Sequence, residues 1–163
     1  MPDVLPPAAE PIALLFKINN SLVHKALEGL SDDHAWEQLQ GRGNPIAWMI
    51  GHITETRSQM LGLLGAPWDA GWGGRFKRGA ELFERSTYPM RGEIEARFTE
   101  THECMRAAFA SLTADRLAAA APVSFAGART LADLLAFFAF HEAYHLGQVG
   151  YIRKQLGHSS LVG

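Results

Sequence analysis

The chain has 163 residues, 15 basic and 17 acidic, with a formal net charge of −2. Apolar residues at 47% and charged residues at 20% are the proportions of one globular domain, and the near-neutral balance excludes the cationic footprint of a phosphate-tracking nucleic-acid binder. A single cysteine, Cys104, excludes a disulfide framework and every multi-cysteine zinc module. No apolar run reaches the roughly 18 residues of a membrane span, and Met1-Pro2-Asp3 opens no secretory signal, so no membrane association and a cytoplasmic setting are expected.

Prolines 2, 6, 7 and 11 make residues 1–11 an extended tail. A first helix follows, in which Ile12, Leu15, Phe16, Leu22, Val23, Ala26, Leu27 and Leu30 share one face and Asn19 sits in the same stripe as a core hydrogen-bonder. Ser31-Asp32-Asp33 caps a short turn towards Leu39, and Gly41-Arg42-Gly43 breaks the chain. Asn44-Pro45 opens a second helix, a capping side chain followed by proline at the first helical position. Its inward residues are Ile46, Met49, Ile53, Thr56, Met60 and Leu63, and Gly65-Ala66-Pro67 stops it.

Residues 65–79 hold Trp68, Trp72 and glycines 65, 71, 73, 74 and 79 with no periodicity, the pattern of either a functional lid or a crossover between distant bundle ends. A third helix runs from near Pro89 to near Leu112, with Ile94, Phe98, Thr101, Met105, Ala108, Phe109 and Leu112 inward. A short turn within 113–122 and an extended connector at 123–127 lead to Thr130-Leu131-Ala132-Asp133, which resembles a capping box. The fourth helix then reaches Leu156, with Arg153 and Lys154 in its last turn and Gly157 beyond. The expected fold is all-α, one domain over residues 12–158, a four-helix bundle with a long crossover loop between helices 2 and 3.

The chemistry is concentrated in Phe140-His141-Glu142-Ala143-Tyr144-His145-Leu146-Gly147-Gln148. Histidines four apart project from one face of a helix, and two imidazoles side by side on an apolar face each need a polar partner, which one shared metal ion supplies. The same letters spell the zinc-peptidase motif His-Glu-x-x-His, but no acidic residue follows Glu142 and Gln148 stands where the extended motif wants glycine. A ferritin-like di-iron site is excluded as well, because no second Glu-x-x-His exists on another helix. A third ligand must come from upstream, where His24 and His34 lie off the inward faces and spacing alone does not choose between His52 and His102.

Asn44-Pro45-Ile46-Ala47-Trp48-Met49-Ile50-Gly51-His52, taken with His141-Glu142-Ala143-Tyr144-His145-Leu146-Gly147-Gln148, resembles the DinB superfamily of metalloenzyme-like helical bundles. The likeness covers nearly the whole chain. It implies one divalent metal ion held by His52, His141 and His145, zinc or nickel first and iron or manganese next. Characterised relatives that use a low-molecular-weight thiol as cosubstrate imply a thiol-dependent S-transferase acting on a small electrophile. The alternatives are a non-catalytic metal- or ligand-binding bundle and a metal-dependent hydrolase. Three neutral imidazoles leave the ion its full charge and open positions, the pattern of a catalytic site.

Around the ligands, Gln148 lies one turn after His145 and either orients a bound ligand or satisfies a ring nitrogen. Glu55 and Thr56 are candidates to hydrogen-bond the far nitrogen of His52, and Glu142 points to a supporting or surface role. Trp48, Trp68 and Trp72 can roof an apolar pocket; Arg75, Lys77, Arg78 and Arg85 can anchor a carboxylate. Cys104 reads as a packed, inert thiol. Helix 4 carries a further apolar face of Phe137, Phe140, Tyr144 and Tyr151, and Leu14 and Ile18 stand outside the helix 1 stripe, so a homodimer is expected.

Overall fold

A computed structural model describes residues 5–79 and 84–162. The fold is all-α. Among the described residues the elements in order are α1 (Glu10–Leu27), the short α2 (Asp32–Trp36), α3 (Ile46–Leu63), α4 (Arg91–Ala110), the short α5 (Ala114–Ala118) and α6 (Leu131–Gln155), with 3-10 turns at Leu39–Gly41 and Arg85–Thr87. Strand pairing is limited to an isolated bridge between Ala120 and Thr130. The four long helices close a ring, α3 packing on α4 and α6, and α1 packing on α6 and α4. Among the described residues no helix is long and apolar enough to cross a membrane.

The core falls into two apolar clusters. One gathers Val23, Leu27, Ile50, Ile53, Phe76, Phe98, Leu146 and Val149; the other gathers Phe16, Met60, Leu61, Met105, Phe109, Leu131 and Leu135. The buried polar residues include Asn19, Arg57, Thr101 and Glu142, at least one from each long helix. Arg57 Nε and Nη2 donate to the two Glu142 oxygens at 2.6 and 2.9 Å, and Asn19 Nδ2 reaches Glu142 Oε2 at 3.3 Å and Ala139 O at 3.0 Å. The guanidinium carbon lies over Phe98, 4.1 Å from the ring centroid. Thr101 satisfies its hydroxyl on Phe98 O. Asn19 therefore does what its place in the stripe predicts, while Glu142 is buried at the centre of the α6 core face and is no surface group.

Helix boundaries follow local chemistry with four corrections. The tail is not extended up to Pro11: Ala9 N–H donates to Pro6 O, Ala9 is fully buried, and α1 starts at Glu10 with Pro11 in its first turn, where a missing N–H costs no helical bond. Residues 1–4 of that tail lie outside the described residues. Asn44 does not cap α3; Pro45 itself is the extended cap residue and no side chain bonds the first N–H groups. Leu15 is 43% exposed, so the α1 stripe is narrower than the pattern suggested. Leu63 is only half-buried at the α3 end. The Thr130–Asp133 capping box forms as read, Thr130 Oγ1 accepting from Asp133 N–H at 3.1 Å and the Asp133 carboxylate from Thr130 N–H at 2.9 Å.

The segment 65–79 is neither a loose lid nor a bare crossover. It runs back along α3: Ser58 Oγ donates to Trp68 O, and Ala70, Trp72 and Phe76 are core residues. With this strap on one side and the bundle on the other, every residue of α3 from Ile46 to Arg57 is buried.

Candidate metal centre

α3 and α6 face each other at the edge of the bundle and bring His52, His141 and His145 together, each with one ring nitrogen within 4.8 Å of the others. His141 Nε2 lies 3.3 Å from His52 Nε2 and 3.1 Å from His145 Nε2. Two nitrogens that share one zinc ion at about 2.0–2.1 Å in tetrahedral geometry stand about 3.3 Å apart, so these separations suit a single bound ion. Spacing in the sequence left His52 and His102 equal. The fold brings His52, and not His102, to the helix pair; His102 lines a separate, mostly apolar cavity with Phe16, Met105 and Phe109.

The outer nitrogens fix the tautomer of two of the three rings. His52 Nδ1–H donates to Phe76 O at 2.6 Å, and His145 Nδ1–H donates to Gln148 Oε1 at 2.8 Å. Both acceptors force the proton onto Nδ1 and leave Nε2 with its lone pair aimed at the common centre. His141 Nδ1 is buried with no partner among the described residues. Burial is the first cause that lowers the affinity of all three rings for protons, reinforced at His141 by the neighbouring His145, His52 and Arg78, which together take it down to about 4. All three are therefore neutral at pH 7 and competent as ligands.

Phe76, which sequence patterning did not single out, is the main support of the site. Its ring packs on Gly51, where no side chain could fit, and is enclosed by Trp72, Tyr88 and Trp48 at centroid distances of 4.8, 5.3 and 6.4 Å. Its carbonyl accepts from His52 Nδ1–H, and its backbone, with that of Gly74, favours the ionised form of the Glu55 carboxyl against burial. Glu55 and Thr56 are therefore not the partners of His52: Glu55 lies beside the strap backbone, and Thr56 Oγ1 donates back to His52 O at 2.8 Å within the helix. Burial raises the Glu55 carboxyl above the usual range. Trp48 stacks on His52 at 5.3 Å with 11° between planes, and Phe137 approaches His141 at 6.2 Å.

Other candidates are spent elsewhere. Arg75 donates to Thr87 O, Arg85 lies over Trp36 and reaches Asp32, and the Lys77 side chain covers Gly74, while the positive charge of Arg78 acts on His52 and His141. His24 contacts Glu95, His34 contacts His158, and Cys104 packs against the second core cluster.

The DinB superfamily sequence pattern matches residues 15–149. The chain belongs to the DinB superfamily. That match spans the whole of the α3 and α6 ligand segments and the strap between α3 and α4. No curated protein matches the chain.

Proposed function

We propose that this DinB-superfamily chain binds one divalent metal ion, zinc or nickel, through His52, His141 and His145, and joins the sulfur of a low-molecular-weight thiol to a small electrophile. The observation that carries the reading is the convergence of three neutral Nε2 atoms whose Nδ1–H groups on His52 and His145 are already tied to Phe76 and Gln148. A bound ion supplies Lewis acidity that makes a thiol acidic enough to be anionic at neutral pH. In the overall reaction the thiol S–H bond breaks, a C–S bond forms, and the leaving group departs with the bonding pair and takes up the proton.

The chain's own groups support this chemistry. Gln148 spends its carbonyl on His145 and keeps its amide N–H groups for a ligand. Arg78 adds positive potential that favours an anionic sulfur. Trp48 and Phe137 flank the triad with apolar surface. Glu142 is committed to Arg57, so it provides no base beside the triad, and an ion that acidifies the thiol removes the need for one. Elemental analysis should find about one ion per chain, lost in His52→Ala, His141→Ala or His145→Ala and retained in His102→Ala. Conjugation of a thiol to an electrophile should vanish on chelation and return with metal; a fully loaded protein that binds no thiol refutes the proposal.

The same reading includes a homodimer. Phe140, Tyr144 and Tyr151 on α6 are 61%, 57% and 64% exposed, and Leu14 and Ile18 on α1, the helix beside it, are 56% and 46% exposed. A second copy would remove this joint apolar face from water.

A further inference from the structure

A cleft of about 670 Å³ opens one helical turn beyond His145, between α6 and the loop that precedes α3. Arg42, Asn44 and Met49 line one side, and Tyr144, Gly147 and Gln148 the other. Gln148 belongs to both places, since its carbonyl holds His145 and its residue lines the cleft. Gln148 is therefore the direct link between the triad and the cleft.

Two features show that the cleft is built. The loop carrying Arg42 is held in a costly shape: Gln40 has φ 52°, and Gly41 and Gly43 on either side of Arg42 have φ 69° and 75°. A non-glycine residue in that region costs about 1–3 kcal/mol. Gln38 Nε2 then closes the loop on Gly43 O at 2.8 Å. The result is a fixed loop that presents Arg42 at the cleft, with its guanidinium free of ion pairs and hydrogen bonds among the described residues. On the opposite wall Gly147 sits within a long helix, where alanine would be favoured by about 1 kcal/mol, and a Cβ there would meet nothing within 4 Å. Packing does not demand this glycine; it keeps the wall of the cleft low.

We infer that this cleft is the binding site for the anionic tail of the ligand whose reactive end sits at the histidines, with Arg42 pairing to a carboxylate and the Gln148 amide group donating to the same molecule. The ligand class is a small thiol that carries a carboxylate. The inference rests on the metal-and-thiol reading above, and the experiment separates the two.

Cobalt(II)-loaded protein is titrated with mercaptosuccinate and with 2-mercaptoethanol, the sulfur-to-cobalt charge-transfer band reporting the sulfur contact. The native chain should bind mercaptosuccinate at least roughly tenfold more tightly, the worth of one charge-assisted hydrogen bond. Arg42→Gln should abolish that preference and leave 2-mercaptoethanol unchanged; Gly147→Leu should weaken mercaptosuccinate selectively by filling the cleft. Equal affinity of the two thiols for the native protein overturns the inference, as does a preference that survives Arg42→Gln or is lost instead in Arg78→Gln. Absence of the band with both thiols sinks the metal-and-thiol reading itself.

Discussion

Gly51→Ala tests whether the strap, and not the helix alone, sets the metal centre. In an isolated helix the exchange is favourable by about 1 kcal/mol, because alanine loses less backbone entropy. Here the new Cβ would overlap the ring of Phe76, which is fully buried and ringed by Trp48, Trp72 and Tyr88, so the ring has no free direction to turn. Overpacking of this kind costs about 1–3 kcal/mol, which leaves a net loss of about 0–2 kcal/mol once the helix gain is counted. The relief available is to lift the strap, which withdraws Phe76 O from His52 Nδ1. Loss of the outer partner of a ligating histidine typically weakens metal binding about 10–100-fold. Affinity is read by competition with a chromophoric chelator, and stability by urea unfolding of the metal-free protein. Gly62→Ala, later in the same helix with nothing within 4 Å of the new Cβ, is the control and should leave affinity unchanged. A Gly51→Ala protein that is about 1 kcal/mol more stable and binds metal normally would refute the reasoning.

Arg57→Met strands the buried Glu142 charge and should lower stability by about 3–5 kcal/mol in urea unfolding, whereas Arg57→Met/Glu142→Leu should recover most of it; a single variant within 1 kcal/mol or so of the native protein contradicts the buried pair. The metal-free protein should lose stability as pH falls from the 6.5 of an unfolded histidine towards about 4: the folded rings bind protons less readily, so protonation below 6.5 favours the unfolded chain. Thermal melts across that window check it, and His141→Gln should flatten the curve. Light scattering should give twice the 17.9 kDa chain mass, and a charged substitution at Phe140 should return the monomer; a native protein of chain mass at micromolar concentration refutes the dimer.

The sequence was readable where periodicity and chemistry agreed. The α4 stripe from Ile94 to Leu112 is buried as expected, and the capping box at Thr130 and the paired histidines of α6 sit where their spacing puts them. It misled where charged letters occupy core positions. Arg57, Glu142 and Arg153 are 1%, 1% and 4% exposed, yet a hydrophobicity pattern discards them and rotates the inferred core face of α6 towards the histidines. The usable signal was that Arg57 lies between Ile53 and Met60, and Glu142 between Ala139 and Leu146, a charge of each sign inside an apolar stripe on two helices. Phe76 carried no such signal. Its carbonyl is common to every residue type, and a nonperiodic segment gives no register, so only the fold reveals that it orients His52.

The buried polar layer also bears on why the three ligands meet. Two helices that share a uniformly apolar seam can slide by one turn, about 5.4 Å, and still bury similar surface. Such a slide would carry His52 out of reach of His141 and His145. The Arg57–Glu142 pair forbids it, since displacement by one turn leaves two buried charges unpaired at a cost of several kcal/mol. Glu142 is the neighbour of His141 in the chain, and Arg57 lies little more than one turn from His52, so the pair sets the register at the level of the site itself. A buried ion pair adds little net stability over a well-packed apolar pair, but it penalises the wrong alignment far more than the right one. Metal affinity in Arg57→Met/Glu142→Leu therefore measures register separately from stability: the fold should survive and the affinity should fall.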